Sequence, residues 1–252
     1  MTRNLLPLLR NDIDILVTLD GDNHLLLQQI SQVLLDQYSK TYKGKSKPKQ
    51  VLQAGKERVY DATRSGLLLN FLNSDAAHLR SADFCLTALQ FRYQRLMHTL
   101  ASRLMRKMKK HMKKDNTSSN GVFDAFNECQ VHLVTLARAY CDYIILKQFD
   151  AKIEEMAAKH GQDHAITSNL RLLFALHALD KISADPFFLE RNVISPAKHK
   201  SIAKQVDKLV KELVPVLPAL VDSFGLPELF FDQTIATTRA DHYTSLFKHG
   251  NK

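Results

Sequence analysis

Glycine and proline are scarce in this chain: eight Gly and seven Pro in 252 residues. All-β folds need many turns, so this scarcity argues for long helices and few connections. Cysteine is scarcer still. Three Cys, an odd number, exclude a disulfide framework and point to a reducing compartment. No uncharged apolar stretch reaches the roughly 18 residues that a bilayer-spanning helix needs. The N-terminal MTRNLLPLLRNDIDILV holds only short apolar runs, Leu5 to Leu9 and Ile15 to Val17. Pro7, Arg10 and Asp14 break them, so no signal-peptide core fits. The chain closes on His249, Gly250, Asn251 and Lys252, which is not the Ser-Lys-Leu type of peroxisomal address.

The rest of the composition is that of a folded protein, 45% hydrophobic and 24% charged. Disorder over the whole chain is excluded. Lys and Arg number 35 against 26 Asp and Glu, a net charge of +9. That charge invites anionic partners but says nothing of fold.

Periodicity places the elements. Residues 12–23, DIDILVTLDGDN, read as a short extended or turning segment feeding a helix, with Asp22 or Asn23 as its cap. That helix runs to about Tyr42 with Leu26, Ile30, Val33 and Leu34 as its apolar face. Lys43 to Gln50 (KGKSKPKQ) reads as an exposed loop. Residues 51–80 are ambiguous, with a short buried helix suggested around Leu67 to Leu72. The clearest helix spans Ala82 to Lys113, where Leu86, Leu89, Tyr93, Leu96, Leu100, Leu104 and Met108 recur at steps of three or four. After the polar turn 115–121, a second long helix is expected from Val122 to Lys159, antiparallel to the first. A third, Asp163 to Ile182, is apolar nearly all round and belongs in a bundle interior. Ser195-Pro196 reads as an N-cap with proline at the first helical position. Pro215 and Pro218 predict a kink or break in the helix that follows. The expected fold class is all-α, an up-and-down helical bundle.

Candidate chemistry is sparse. No GxSxG, P-loop or GxGxxG occurs. The histidines form no HExxH motif and the cysteines no CxxC, so no metal site is expected. Cys85, Cys129 and Cys141 read as buried apolar fillers. From Phe84 to Lys114 there is no acid but nine cations, from Arg92 to Lys114. They suit a patch for phosphate, nucleic acid or a membrane surface. They equally suit a solvated helix face whose terminal cations favour the dipole. Without interleaved aromatics or a groove-entering motif, the solvated face is preferred. Asp20-Gly21-Asp22-Asn23 is the remaining candidate. A carboxylate between an apolar run and a helix N-terminus can project into a cleft near free amides. The same four residues suit a plain capping turn.

These residues carry a resemblance. NDIDILVTLDGDNHLLLQQ resembles the segment of the flavin-dependent acyl-CoA oxidases that bears their catalytic glutamate, an aromatic-Glu-Gly-Asp-Asn run before an aliphatic helix with paired Gln. Here it stands as Leu19-Asp20-Gly21-Asp22-Asn23 with Gln28-Gln29. The similarity continues through LLDQYSKTYKGK (34–45), the residues from Phe84, HLVTLARAYCDYIILKQF (132–149), DPFFLE (185–190), LVDSFGLPE (220–228) and DHYTSLF (241–247), nearly the whole chain in family order.

The resemblance implies a chemistry. The family desaturates an acyl-CoA to the trans-2-enoyl-CoA in fatty acid β-oxidation. A carboxylate takes the α-proton, FAD takes the hydride, and O₂ is reduced to hydrogen peroxide. It implies Asp20 as the catalytic carboxylate and Gly21, Asp22 and Asn23 as cofactor-binding residues near the flavin. Asp20 departs from the family's glutamate. It is one methylene shorter, a retreat of roughly 1.5 Å, and a misplacement near 1 Å can cost about 10²-fold. Asp20 is therefore expected to be a weak base at best.

The resemblance also implies that only the C-terminal portion of an oxidase is present. Residues 1–50 would be the end of the flavin-domain helical bundle with the carboxylate segment, and 51–252 the C-terminal helical domain. The chain alone is expected to hold no FAD firmly. The implied partners are acyl-CoA, a chain carrying the missing N-terminal oxidase domains, and a second copy in a homodimer. No nucleic acid and no membrane span are expected. The alternative is a non-catalytic helical dimerisation or interaction module. The family works in the bacterial cytosol or in peroxisomes. The C-terminus favours the bacterial cytosol, with a peroxisome open if a missing N-terminal part carries the signal.

Overall fold

The computed structural model of the chain describes residues 6–19, 21–42, 72–114 and 118–225. Every regular element among them is a helix. In order these are α1 (Leu6–Asp14), a 3-10 turn (Ile15–Val17), α2 (Asn23–Tyr42), α3 (Ala76–Leu79), α4 (Ala82–Lys114), α5 (Ser118–Asn127), α6 (Gln130–His160), α7 (Ala165–Ala184), α8 (Phe187–Glu190), α9 (Pro196–Leu213), a 3-10 turn (Val214–Val216) and α10 (Leu217–Asp222). The all-α bundle expected from the sequence is the fold of these residues.

The chain divides into two compact units: Asp22–Leu213, and a second made of Met1–Gly21 with Val214–Lys252. In the larger unit the long helices α4 and α6 form an antiparallel spine. Two apolar clusters lie along it. One joins the N-terminal half of α4 (Phe84, Leu89) to the C-terminal half of α6 (Leu146, Ile153), with α7, α8 and α9 closing over it. The other joins the C-terminal half of α4 (Leu100, Leu104) to the start of α6 (Leu133, Leu136), covered by α2 and α5. The predicted stripe of α4 thus serves both clusters, because a helix of this length outruns one core. Each fully buried leucine contributes about 1.5–3 kcal/mol by its burial.

Polar contacts fix how the helices pack. Arg80 holds Glu212 of α9 through two hydrogen bonds, 2.9 and 2.8 Å. Arg92 of α4 bridges Asp142 of α6, 3.6 Å, and Asp185 at the end of α7. Ser31, fully buried on α2, donates to the carbonyl of Leu133, 2.5 Å. The cap expected at Ser195 is in place. Ser195 Oγ accepts from the Lys198 amide, 3.1 Å, and Pro196 opens α9. Gly161 ends α6 with φ +100° and donates to the carbonyl of Ala157.

Three expectations need correction, and one open alternative is decided. Of the extended or turning forms read for residues 12–23, the segment 15–19 takes the turning one. Its IleLeuVal run forms a 3-10 turn, and the amides of Thr18 and Leu19 close on the Ile15 carbonyl at 3.1 and 2.8 Å. A lone apolar run with no strand beside it satisfies its backbone locally. The second long helix is two helices, α5 and α6. The Cys129 amide bonds the Phe126 carbonyl, 2.9 Å, while Cys129 is buried and Glu128 is held by Lys107 and His111 of α4. Tertiary contacts make this break, and no Gly or Pro between Val122 and His160 marks it. On α2, Leu34 is buried, but Leu26 and Val33 of the predicted face are exposed. Cys141 is only half-buried, whereas Cys85 and Cys129 are buried as expected. The proline break is as predicted: α9 stops at Leu213, a 3-10 turn follows, and α10 starts at Leu217. Of the helix suggested around Leu67 to Leu72, all but Leu72 lies outside the described residues.

Candidate functional site

Asp20, the candidate base, lies outside the described residues. Gly21 has φ +120°, a conformation that favours glycine, and its amide donates to the Thr18 carbonyl, 3.3 Å. Asp22 is the cap of α2. Its Oδ1 accepts from the His24 amide at 2.6 Å, and its carbonyl accepts from the Leu26 amide at 3.0 Å. Asn23 is the first residue of the helix. The fold therefore brings Asp22 and Asn23 to one helix N-terminus, as the sequence predicts. Residues 21 to 26 are all exposed.

That exposure decides what the segment can do by itself. A flavin needs an enclosing wall, and three exposed residues offer only an edge of backbone and one carboxylate engaged in capping. Gly21, Asp22 and Asn23 do not by themselves enclose a flavin. No group of three or more His, Cys, Asp or Glu among the described residues is placed to hold a metal. No helix among them is long and apolar enough to cross a membrane.

Two grooves that the sequence reading missed lie in the larger unit. The first, about 390 Å³, runs between α2 and the α5–α6 corner. Gln28 and Gln32 face Phe123, Phe126, Gln130 and Leu133 across it. Amide rims and an apolar floor suit binding rather than acid–base chemistry, since no residue of its walls titrates near neutrality. Of the paired glutamines Gln28-Gln29 only Gln28 lines this groove, and its far wall depends on the break at Cys129. The second groove, also about 390 Å³, lies along α4 and is lined by Arg95, His98, Thr99, Ser102, Arg103 and Arg106. His132 stands beside it, its Nε2 3.3 Å from Thr99 Oγ1. Burial, and then the Arg103 charge, push the His132 pKa down.

The basic helix is therefore not one uniform face. Arg92 is paired with two aspartates, and Lys107 with Glu128. The Lys107 hydrogen bond, helped by His111, holds the Glu128 carboxyl below its usual range. Cys85 is no nucleophile: burial pushes its thiol up to about 12.

Comparison with known proteins agrees with the resemblance. A family model described as acyl-CoA oxidase matches residues 91–252. Peroxisomal acyl-coenzyme A oxidase 2 of Arabidopsis thaliana is 34% identical over 223 residues, covering 87% of this chain and 30% of that protein. The acyl-coenzyme A oxidase-like protein of Mus musculus is 26% identical over 88% of this chain and 32% of its own length. Among solved structures, Arabidopsis thaliana acyl-CoA oxidase 1 superposes with a TM-score of 0.64 at 24% identity, over 94% of this chain and 33% of that one. Acyl-CoA oxidase 3 of Yarrowia lipolytica gives a TM-score of 0.70 at 18% identity, over 92% and 30%. The chain thus spans about a third of the length of the relatives it matches. On the family match and these shared helices, the chain belongs to the acyl-CoA oxidase family.

Proposed function

We propose that this chain is the C-terminal part of an FAD-dependent acyl-CoA oxidase, which converts acyl-CoA to trans-2-enoyl-CoA with O₂ going to hydrogen peroxide. The observation that carries this reading is the family match over 91–252 together with the family-like segment Asp20 to Asn23. In this reading Asp20 takes the α-proton, Gly21 gives close backbone approach to the cofactor, and Asp22 and Asn23 shape the turn beside it. Residues 1–50 end the flavin-domain bundle, and 51–252 are the C-terminal helical domain.

Turnover then requires the domains that the longer relatives carry. Leu25, Leu26 and Val33 support this, because α2 leaves them 60%, 41% and 55% exposed, an apolar strip suited to cover by another protein surface. The relatives' names favour a peroxisomal setting over the bacterial cytosol. The test is complementation. The chain alone is expected to be colourless, with no flavin band at about 450 nm, and to produce no peroxide from acyl-CoA. Mixed with the N-terminal two-thirds of a relative, it should copurify, turn yellow and show activity that Asp20→Asn abolishes. A stoichiometric yellow flavin on the chain alone, or full activity in Asp20→Asn, overturns the reading.

A second reading, a non-catalytic helical dimerisation module, draws on the α5–α6 corner. Val131 there is 83% exposed and Phe123 67% exposed. A stable flavin-free homodimer that ignores the complementing domains would favour it.

A further inference from the structure

The first turn of α7 is capped by an imidazole. His164 Nδ1 accepts from the Ile166 amide at 3.2 Å, and no backbone carbonyl among the described residues takes that amide. Caps are commonly Ser, Thr, Asp or Asn, whose oxygens accept at neutral pH and well below it. Asp22 at α2 and Ser195 at α9 follow that rule. At α7 an aspartate is available one residue earlier, Asp163, and the fold does not use it. Gly161 ends α6 with φ +100°, Thr167 Oγ1 donates to its carbonyl at 3.1 Å, and Arg171 donates to the Gln162 carbonyl at 3.2 Å. With the turn held this way, His164 stands at the cap position, in the extended conformation (φ −65°, ψ 141°) that a cap adopts.

An imidazole differs from those oxygens in one respect. It accepts only while Nδ1 keeps its lone pair, so the capping ring carries its single proton on Nε2. The cap and a second proton compete for that lone pair. With both nitrogens protonated the ring only donates, the Ile166 amide loses its acceptor, and a positive charge sits at the positive end of the helix dipole. The ring also stacks on a second imidazole, that of His160 at the end of α6, with centroids 5.2 Å and planes 35° apart. Acid turns this pair into two like charges. Nearby charges are engaged elsewhere: Lys159 with Glu155 at 3.0 Å, and Arg171 with Glu154 at 3.4 Å. Among the described residues neither histidine makes an ion pair, with Asp163 or any other acid. Both histidines are exposed. We propose that His164 makes the α6–α7 turn an acid-sensitive joint: protonation of Nδ1 releases the Ile166 amide and loosens the first turn of α7, while Arg171 keeps the connection in place. The capped turn is favoured at neutral pH and lost on acidification, because the released ring takes up a proton that the capping ring excludes. The joint needs neither flavin nor acyl-CoA.

The experiment is amide hydrogen exchange of the full 252-residue chain, read by mass spectrometry. It compares about pH 7.5 with about pH 5.5, an interval in which imidazoles change charge, with labelling times scaled to the intrinsic exchange rate at each pH. Protection of residues 166–168 is expected to fall about fivefold in acid, the size of a lost cap. His164→Asn should hold that protection within about twofold at both pH values, since its carboxamide oxygen accepts throughout. His164→Ala should show the low protection at both. His160→Asn removes the like charge and keeps the cap, so the fall should persist at a smaller size. Exchange around the buried Ile153 of α6 serves as the internal reference for global unfolding. Four results overturn the proposal: equal wild-type protection at both pH values, a fall in His164→Asn as large as that of the wild type, a fall that survives in His164→Ala, or a fall abolished by His160→Asn alone.

Discussion

Lys198 gives the sharpest quantitative test of the packing. It is fully buried at the first turn of α9, with Nζ 3.1 Å from His78 Nε2 and 4.2 Å from the centroid of the Phe84 ring. Burial pushes its pKa down from 10.5 to about 8. The folded state therefore releases a proton that the unfolded chain still holds between these values. Stability must rise with pH across that window, because there the unfolded state binds more protons. At 1.36 kcal/mol per unit, a shift of this size costs about 3 kcal/mol below pH 8, and most of it is recovered by about pH 10. Lys198→Met keeps the side-chain length and removes the titration. Loss of the His78 and Phe84 contacts shifts the variant's stability by an amount that Lys198 ionisation in the wild type does not set. The observable is thus the stability difference between variant and wild type, from urea unfolding followed by far-UV circular dichroism. It should move by about 2–3 kcal/mol in favour of the wild type between about pH 7 and pH 10. A difference that stays constant within about 0.5 kcal/mol over that range refutes the burial argument.

Further outcomes follow from other contacts. Arg92→Met should destabilise the fold by about 2 kcal/mol, short of the 3–5 expected for a fully buried pair because Arg92 and its partners keep some exposure. Denaturation of Arg92→Met, Asp185→Asn and the double variant should give a coupling energy clearly above the roughly 0.5 kcal/mol of a surface pair. Ser195→Ala removes the cap of α9 and should cost about 1 kcal/mol in the same assay. Leu136→Ala, in the second apolar cluster, should cost about 3 kcal/mol, while Val131→Ala, on the exposed side of the same helix, should stay within about 0.5.

The sequence disclosed most where physics acts locally. The α4 stripe, the Ser195-Pro196 cap and the break at Pro215 each follow from spacing or covalent geometry, and each is found in place. Asp22 was readable as a cap for the same reason. What escaped reading depends on partners distant in sequence. The interruption at Cys129 is made by burial and by α4 cations. The exposed Val33 faces outward because the inner face of α2 is set by Ser31, Leu34 and Tyr38 against α4 and α6. The nine cations of α4 looked alike in sequence. Only the fold separates the paired Arg92 and Lys107 from the arginines of the groove.

The α4–α6 spine bears on how this region can change in evolution. Each of the two helices contributes one half to either apolar cluster. Neither cluster can be excised, transplanted or duplicated without cutting a continuous helix in two. Recombination can therefore move Asp22–Leu213 only as a single block. Within that block, hydrogen exchange should be slow along both spine helices, with the two clusters opening together rather than in turn.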